Sequence, residues 1–142
     1  MQITRTGEYG LRGLLFLAKQ PPEKVALVSE VSRAQRIPGT FLAKIFQRLS
    51  KAGVLKSIRG SGGGFYLARP AGKITMKEVI EALEGPIAIN RCLMRKGTCN
   101  EEEECPLHEV WERAQKGLLD VLTKTTMEDL AKRTSPEPDG GR

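Results

Sequence analysis

A mainly helical fold carrying one small β-hairpin is what this sequence predicts, and three observations predict it. Apolar residues recur at helical spacing in several separate stretches. Two short alternating stretches flank Gly60-Ser61-Gly62-Gly63-Gly64, where four glycines in five residues exclude a helix or a central strand. A long amphipathic stripe runs from Leu107 to Leu122. The 142 residues, 39% hydrophobic and 28% charged, suit one domain with a helical extension and supply a real core. The longest strictly apolar run, Leu14–Ala18, is far too short to cross a bilayer. No basic segment followed by an apolar one opens the chain, so a cytoplasmic protein without a membrane partner is expected.

The elements follow in order. Residues 7–19 carry Leu11, Leu14, Leu15 and Ala18 on one helical face, and Pro21 and Pro22 end that helix. Residues 28–36 read as a short second helix, and Ile37-Pro38-Gly39 as a tight break. Residues 39–51 place Leu42, Ile45, Phe46 and Leu49 on one face, with Gly53 as the stop. Leu55–Arg59 and Phe65–Ala68 are the hairpin strands. Thr75 and Glu78 form a capping box for a connecting helix within residues 74–85, stopped by Gly85. Residues 86–106 show no period and hold every cysteine. Residues 107–133 read as a long helix with a short further turn, and 134–142 as a disordered tail.

Charge divides the chain. Residues 1–73 hold 13 Lys and Arg against 3 Asp and Glu, whereas residues 74–142 hold 10 against 14. A basic first half points to a polyanion partner, double-stranded DNA above all. Helix, helix, break, helix and hairpin is the order of a winged helix-turn-helix, so residues 1–73 are expected to be the DNA-binding unit. The second helix of the pair then lies in the major groove. Thr40, Lys44, Gln47, Arg48 and Lys51 fall outside its apolar face. Lys44 and Gln47 suit base edges, and Arg48 and Lys51 suit phosphates. Arg59, Gly60, Ser61 and Gly62 form a wing whose slim tip can enter a narrow groove. A nucleotide P-loop is excluded, because no Lys-Ser/Thr pair follows the glycines and no helix begins there.

Cys92, Cys99 and Cys105 are spaced C-x6-C-x5-C-x2-H, ending in His108, the single histidine of the chain. An odd number of thiols in a reducing compartment argues against structural disulfides. Gathering every soft ligand into one irregular loop fits a metal centre, and both iron–sulfur clusters and zinc accept thiolate and imidazole. Zinc knuckles have shorter gaps, so a larger inorganic unit is favoured. A cysteine nucleophile with His108 as base lacks an orienting third residue, and no enzyme is expected.

Thr4, Tyr9, Arg59-Gly60-x-Gly62-Gly63-Gly64-Phe65-x-Leu67 and the cysteine loop with Cys105-x-x-His108 resemble the IscR/NsrR family of iron–sulfur transcription regulators, over residues 1 to about 130. The resemblance implies a homodimer that binds operator DNA and carries a [2Fe–2S] or [4Fe–4S] cluster, with [2Fe–2S] preferred. IscR-type members imply Cys92, Cys99, Cys105 and His108 as ligands. NsrR-type members imply three cysteines and an acidic residue from the partner's first helix, which maps onto Glu8. The first cysteine gap here is one residue longer than is usual among IscR-like members, and both His108 and Glu8 are present. His108 is preferred because it is local to the loop.

The stripe on the long helix predicts pairing with a second copy through Trp111, Leu118 and Leu122. The function expected is a DNA-binding regulator sensing iron–sulfur status, redox state or nitric oxide. The alternative is a thiol-disulfide or zinc-dependent regulator without a cluster.

Overall fold

The computed structural model describes residues 3–22, 24–90, 93 and 105–133. Six α-helices and one hairpin appear among them. Thr4 opens α1 (Arg5–Ala18), its hydroxyl accepting from the Gly7 amide at 3.5 Å. Helix α2 (Val28–Gln35) stops where Arg36 turns into the left-handed region at φ 56°. There the Ile37 amide donates to the Ser32 carbonyl at 3.0 Å, which fixes the turn into α3 (Gly39–Lys51).

The strands β1 (Leu55–Ile58) and β2 (Gly64–Leu67) pair antiparallel, with Leu55 opposite Leu67 and Ile58 opposite Gly64. Ala26 adds a third short edge. It exchanges two backbone hydrogen bonds with Phe65, at 2.9 and 2.8 Å. That approach requires glycine beside it, because a Cβ on Gly64 would stand 2.4 Å from the Ala26 carbonyl oxygen. The hairpin is thereby fastened to the body through β2, close to its turn end, while Gly60, Ser61 and Gly62 at the tip stay exposed.

A 3-10 turn (Ala71–Lys73) leads to α4 (Met76–Glu84), capped by the Thr75 hydroxyl and stopped at Gly85 with φ 84°. The long helix α5 spans Pro106–Lys124. Where the sequence suggests a mere further turn, the chain breaks at Thr125 and a separate helix α6 (Met127–Arg133) packs against α1 and the 3-10 turn. The break is built in. The Asp129 carboxylate accepts from the Thr126 amide at 3.0 Å, and the Thr126 hydroxyl accepts from the Asp129 amide at 3.1 Å. Those bonds to Thr126 hold the Asp129 carboxyl below its ordinary value. The cap is therefore intact above the usual carboxylate range and is lost as pH falls through the lowered value. Fully buried Met127 then joins the main core.

That core packs Leu14 and Leu17 of α1 on Leu42, Phe46 and Leu49 of α3, Val79 and Leu83 of α4, and Met127. Phe46 meets Phe65 edge-on with ring centroids 5.3 Å apart, joining the recognition helix to the wing. A smaller cluster of Ile80, Ile87 and Leu122 holds α5 to α4.

Buried Gly13 lets α1 approach α3. A Cβ there would stand 2.7 Å from the rim of the Phe46 ring, which is itself fully buried. Gly13→Ala should gain about 1 kcal/mol in helix propensity yet lose about 1–3 kcal/mol to overpacking. We expect a net loss of stability, read as a lower urea midpoint; a raised midpoint would show that the ring has room to yield.

Candidate nucleic-acid interface and metal centre

Helix α3 turns Leu42, Ile45, Phe46 and Leu49 inward and leaves Thr40, Lys44, Gln47 and Lys51 exposed in one row along its outer side. Phe41 is also exposed, at 61%, beside that row. The wing sets exposed Ser57, Ile58, Arg59, Gly60, Ser61 and Gly62 next to it. Between α2, α3 and the hairpin lies an open cleft of about 800 Å³ with Ser29, Gln47, Lys51 and Arg59 on its walls. Exposed Arg33 and Arg36 on α2 and its turn extend the cationic surface. The wing tip is shaped by positive φ at Gly60 (89°) and Gly62 (77°), and the Gly63 amide donates to the Gly60 carbonyl at 2.9 Å. A thin, side-chain-poor loop beside a cationic helix can engage two adjacent grooves of a duplex.

Arg48 differs from its neighbours. Its Nη2 donates to the Leu83 carbonyl, 2.5 Å away, at the end of α4. The sequence suggests a phosphate contact there; Arg48 is exposed, and its Nη2 also ties α3 to α4. Arg12 likewise donates to the Gln35 carbonyl, pinning α1 to the end of α2. These ties fix the pose of the reader from behind.

Two of the expected metal ligands are described. Cys105 is the N-cap of α5, Pro106 starts the helix, and the His108 amide donates to the Cys105 carbonyl at 3.1 Å, so the two residues sit one turn apart. Cys92 and Cys99 lie outside the described residues. The His108 side chain is 16% exposed, and its Nε2 lies 3.1 Å from Glu112 Oε1, one turn further on. Its Nδ1 is buried and has no hydrogen-bond partner among the described residues. A ring that donates Nε2–H to a carboxylate keeps its lone pair on Nδ1, which is how a metal-ligating histidine is commonly prepared. The residues present therefore fit a thiolate-and-imidazole centre. Glu8 is exposed on the first turn of α1.

The cysteine loop is held at both ends by α5. At its start, Ile87 packs on Leu122 and the Ile89 amide donates to Gln115 Oε1 at 3.0 Å. At its end, Cys105 caps the same helix.

On α5, Leu122 is 8% exposed and belongs to its own chain's smaller cluster, with Leu118 leaning on it. The expected contact between copies through Leu122 is thus corrected: that side chain already packs on Ile80 and Ile87. The unpartnered stripe is Leu107, Val110, Trp111 and Val121, exposed by 60, 55, 37 and 63%. Positions 107, 111, 114, 118 and 121 alternate steps of four and three, the spacing of a coiled-coil seam.

Sequence reasoning missed Phe41 and Glu112. For Glu112 the signal was the i,i+4 spacing from His108; for Phe41 it was an aromatic off the apolar stripe. No helix among the described residues is long and apolar enough to cross a membrane.

Known proteins agree with this geometry. Residues 3–133 match the Rrf2 family model, described as an iron-dependent transcriptional regulator. The regulator IscR of Xenorhabdus nematophila is 32% identical over 93% of this chain and 80% of its own length. CymR of Bacillus subtilis is 34% identical over 96% of this chain and 94% of its own. The solved structure of B. subtilis CymR, the global cysteine regulator, superposes with a TM-score of 0.80 at 30% identity, covering 95% of this chain and 99% of that one. IscR of T. potens superposes at 0.75 and 25% identity, covering 96% of this chain and 93% of that one. These relatives are named as transcriptional regulators, not enzymes. The chain belongs to the Rrf2 family of winged-helix, DNA-binding transcriptional regulators.

Proposed function

We propose that the chain works as a homodimeric operator-binding repressor or activator whose iron–sulfur cluster is held by Cys92, Cys99, Cys105 and His108. The observation that carries this reading is the buried Nδ1 of His108, which has no hydrogen-bond partner among the described residues, with its ring steadied by Glu112, one turn from Cys105. A buried ring nitrogen without a partner is costly unless something binds it. When bound, such a cluster supplies an iron- and redox-dependent cross-link across residues 86–106. The chain's own residues relay the change. The loop begins after the Leu83 carbonyl that Arg48 grips, so reordering the loop alters α4 and thereby the pose of α3. Two copies joined along the exposed stripe of α5 present two readers to two half-sites.

Protein prepared without air should be brown, absorb in the visible, and contain iron and sulfide. His108→Ala should change the spectrum, while Glu8→Ala should leave it unchanged. The reverse pattern would assign the fourth ligand to Glu8 of the partner subunit.

A second reading is favoured by the 34% identity to CymR and by similarity to an oxidised-form structure of Staphylococcus aureus CymR, at 28% identity and a TM-score of 0.74. In that reading the cysteines act as thiols. It requires a colourless protein whose DNA affinity follows disulfide state.

A further inference from the structure

We infer that Phe41 is a specificity-determining residue that reads a thymine methyl group in the major groove, an inference resting on the operator-binding reading above. Phe41 is the third residue of α3, after Gly39 and Thr40, and is 61% exposed. The helix does not lack apolar anchors, since Leu42, Ile45, Phe46 and Leu49 are all buried. A phenyl ring left 61% exposed on a helix that already has four buried anchors stands mostly in water. Its i+3 neighbour is exposed Lys44, and Thr40 precedes it. Exposed Arg33 and Arg36 stand on the adjacent α2 and turn, and Arg59 on the wing. This cationic setting selects a polyanion over an apolar protein surface as the occupant.

On a duplex the first turn of a recognition helix reaches deepest into the major groove. The apolar feature that groove offers is the thymine C5-methyl, and Phe is among the side chains that meet it. Each half-site is therefore expected to hold a thymine whose methyl group packs on the Phe41 ring, beside the base edge that Lys44 contacts.

The test takes duplexes enriched from a randomised library by the full chain, prepared without air. Every thymine of a half-site is replaced singly by deoxyuridine, and affinities are measured at fixed salt for wild type, Phe41→Ala and Phe41→Leu. At one position, methyl removal should weaken wild type about three- to fivefold, the size expected for burying one methyl group. The same removal should leave Phe41→Ala unchanged, and Phe41→Leu should keep part of the effect. The comparison is a double-mutant cycle, so a general loss of affinity in a variant cancels. A wild type indifferent to deoxyuridine everywhere overturns the inference. So does a Phe41→Ala variant that retains the full penalty, or one that changes oligomeric mass while its methyl dependence stays. Wild type that binds no duplex even at low salt brings down the operator-binding reading itself.

Discussion

Alanine in place of any one of Cys92, Cys99 or Cys105 is expected to abolish the bound cluster, the largest single effect in this chain. The physical reason is the ligand count. In the proposed set, three thiolates and one imidazole leave no spare donor, so losing one cysteine leaves the metal under-coordinated. Around His108 the expected effects are graded. His108→Ala removes a proposed ligand. Glu112→Ala keeps the ligand but frees its ring, because the 3.1 Å contact from Glu112 Oε1 to Nε2 is what orients it. Loss of such a supporting carboxylate typically lowers metal affinity about 10–100-fold. Glu112→Gln retains an acceptor oxygen at the same place and should restore most of it. Cluster lifetime under a chelator, followed by visible absorbance, ranks the variants. Equal lifetimes for wild type and Glu112→Ala would show that the ring is held some other way.

Alanine in place of Lys44 is expected to weaken operator binding by about 1–3 kcal/mol and to relax preference at one base position. Lys44 lies mid-row on the exposed side of α3, flanked by Thr40 and Gln47. Lys51, in the last turn beside the cleft, should behave differently. Its loss should weaken all duplexes alike and lower the salt dependence by about one counterion, a slope change near 0.9. Affinities across a salt series, on the operator and on an unrelated duplex, separate the two roles. A Lys44→Ala variant with the same operator preference as wild type would move base reading to other residues.

Local pattern carried much of the architecture. The extent of α3 follows from Leu42, Ile45, Phe46 and Leu49, because helical periodicity is a property of neighbouring residues. Gly85 and Thr75 marked the ends of α4 through backbone chemistry that needs no tertiary partner. What escaped the sequence depends on distant contacts. Arg48 looks like any outward cation until Leu83, thirty-five positions away, offers its carbonyl. Leu122 sits on the apolar stripe, but only the fold reveals that Ile80 and Ile87 cover it. The docking of α6 hinges on Thr126 and Asp129 capping each other, and on a pocket for Met127 that several elements build together. For the proposed metal centre, cysteine spacing suggested a ligand set, while the contact of His108 Nε2 with Glu112 and its buried Nδ1 emerged only from the fold.

The most direct test compares one protein in two states on one duplex. Anaerobic protein with its iron and sulfide measured, and the same protein stripped by chelator, are titrated onto a selected operator at fixed salt. Cysteine-loop occupancy felt at the DNA surface predicts affinities differing by several-fold to about a hundredfold, the range of a 1–3 kcal/mol coupling. Identical affinities from loaded and stripped protein, or a preparation that never binds iron and sulfide, would contradict it.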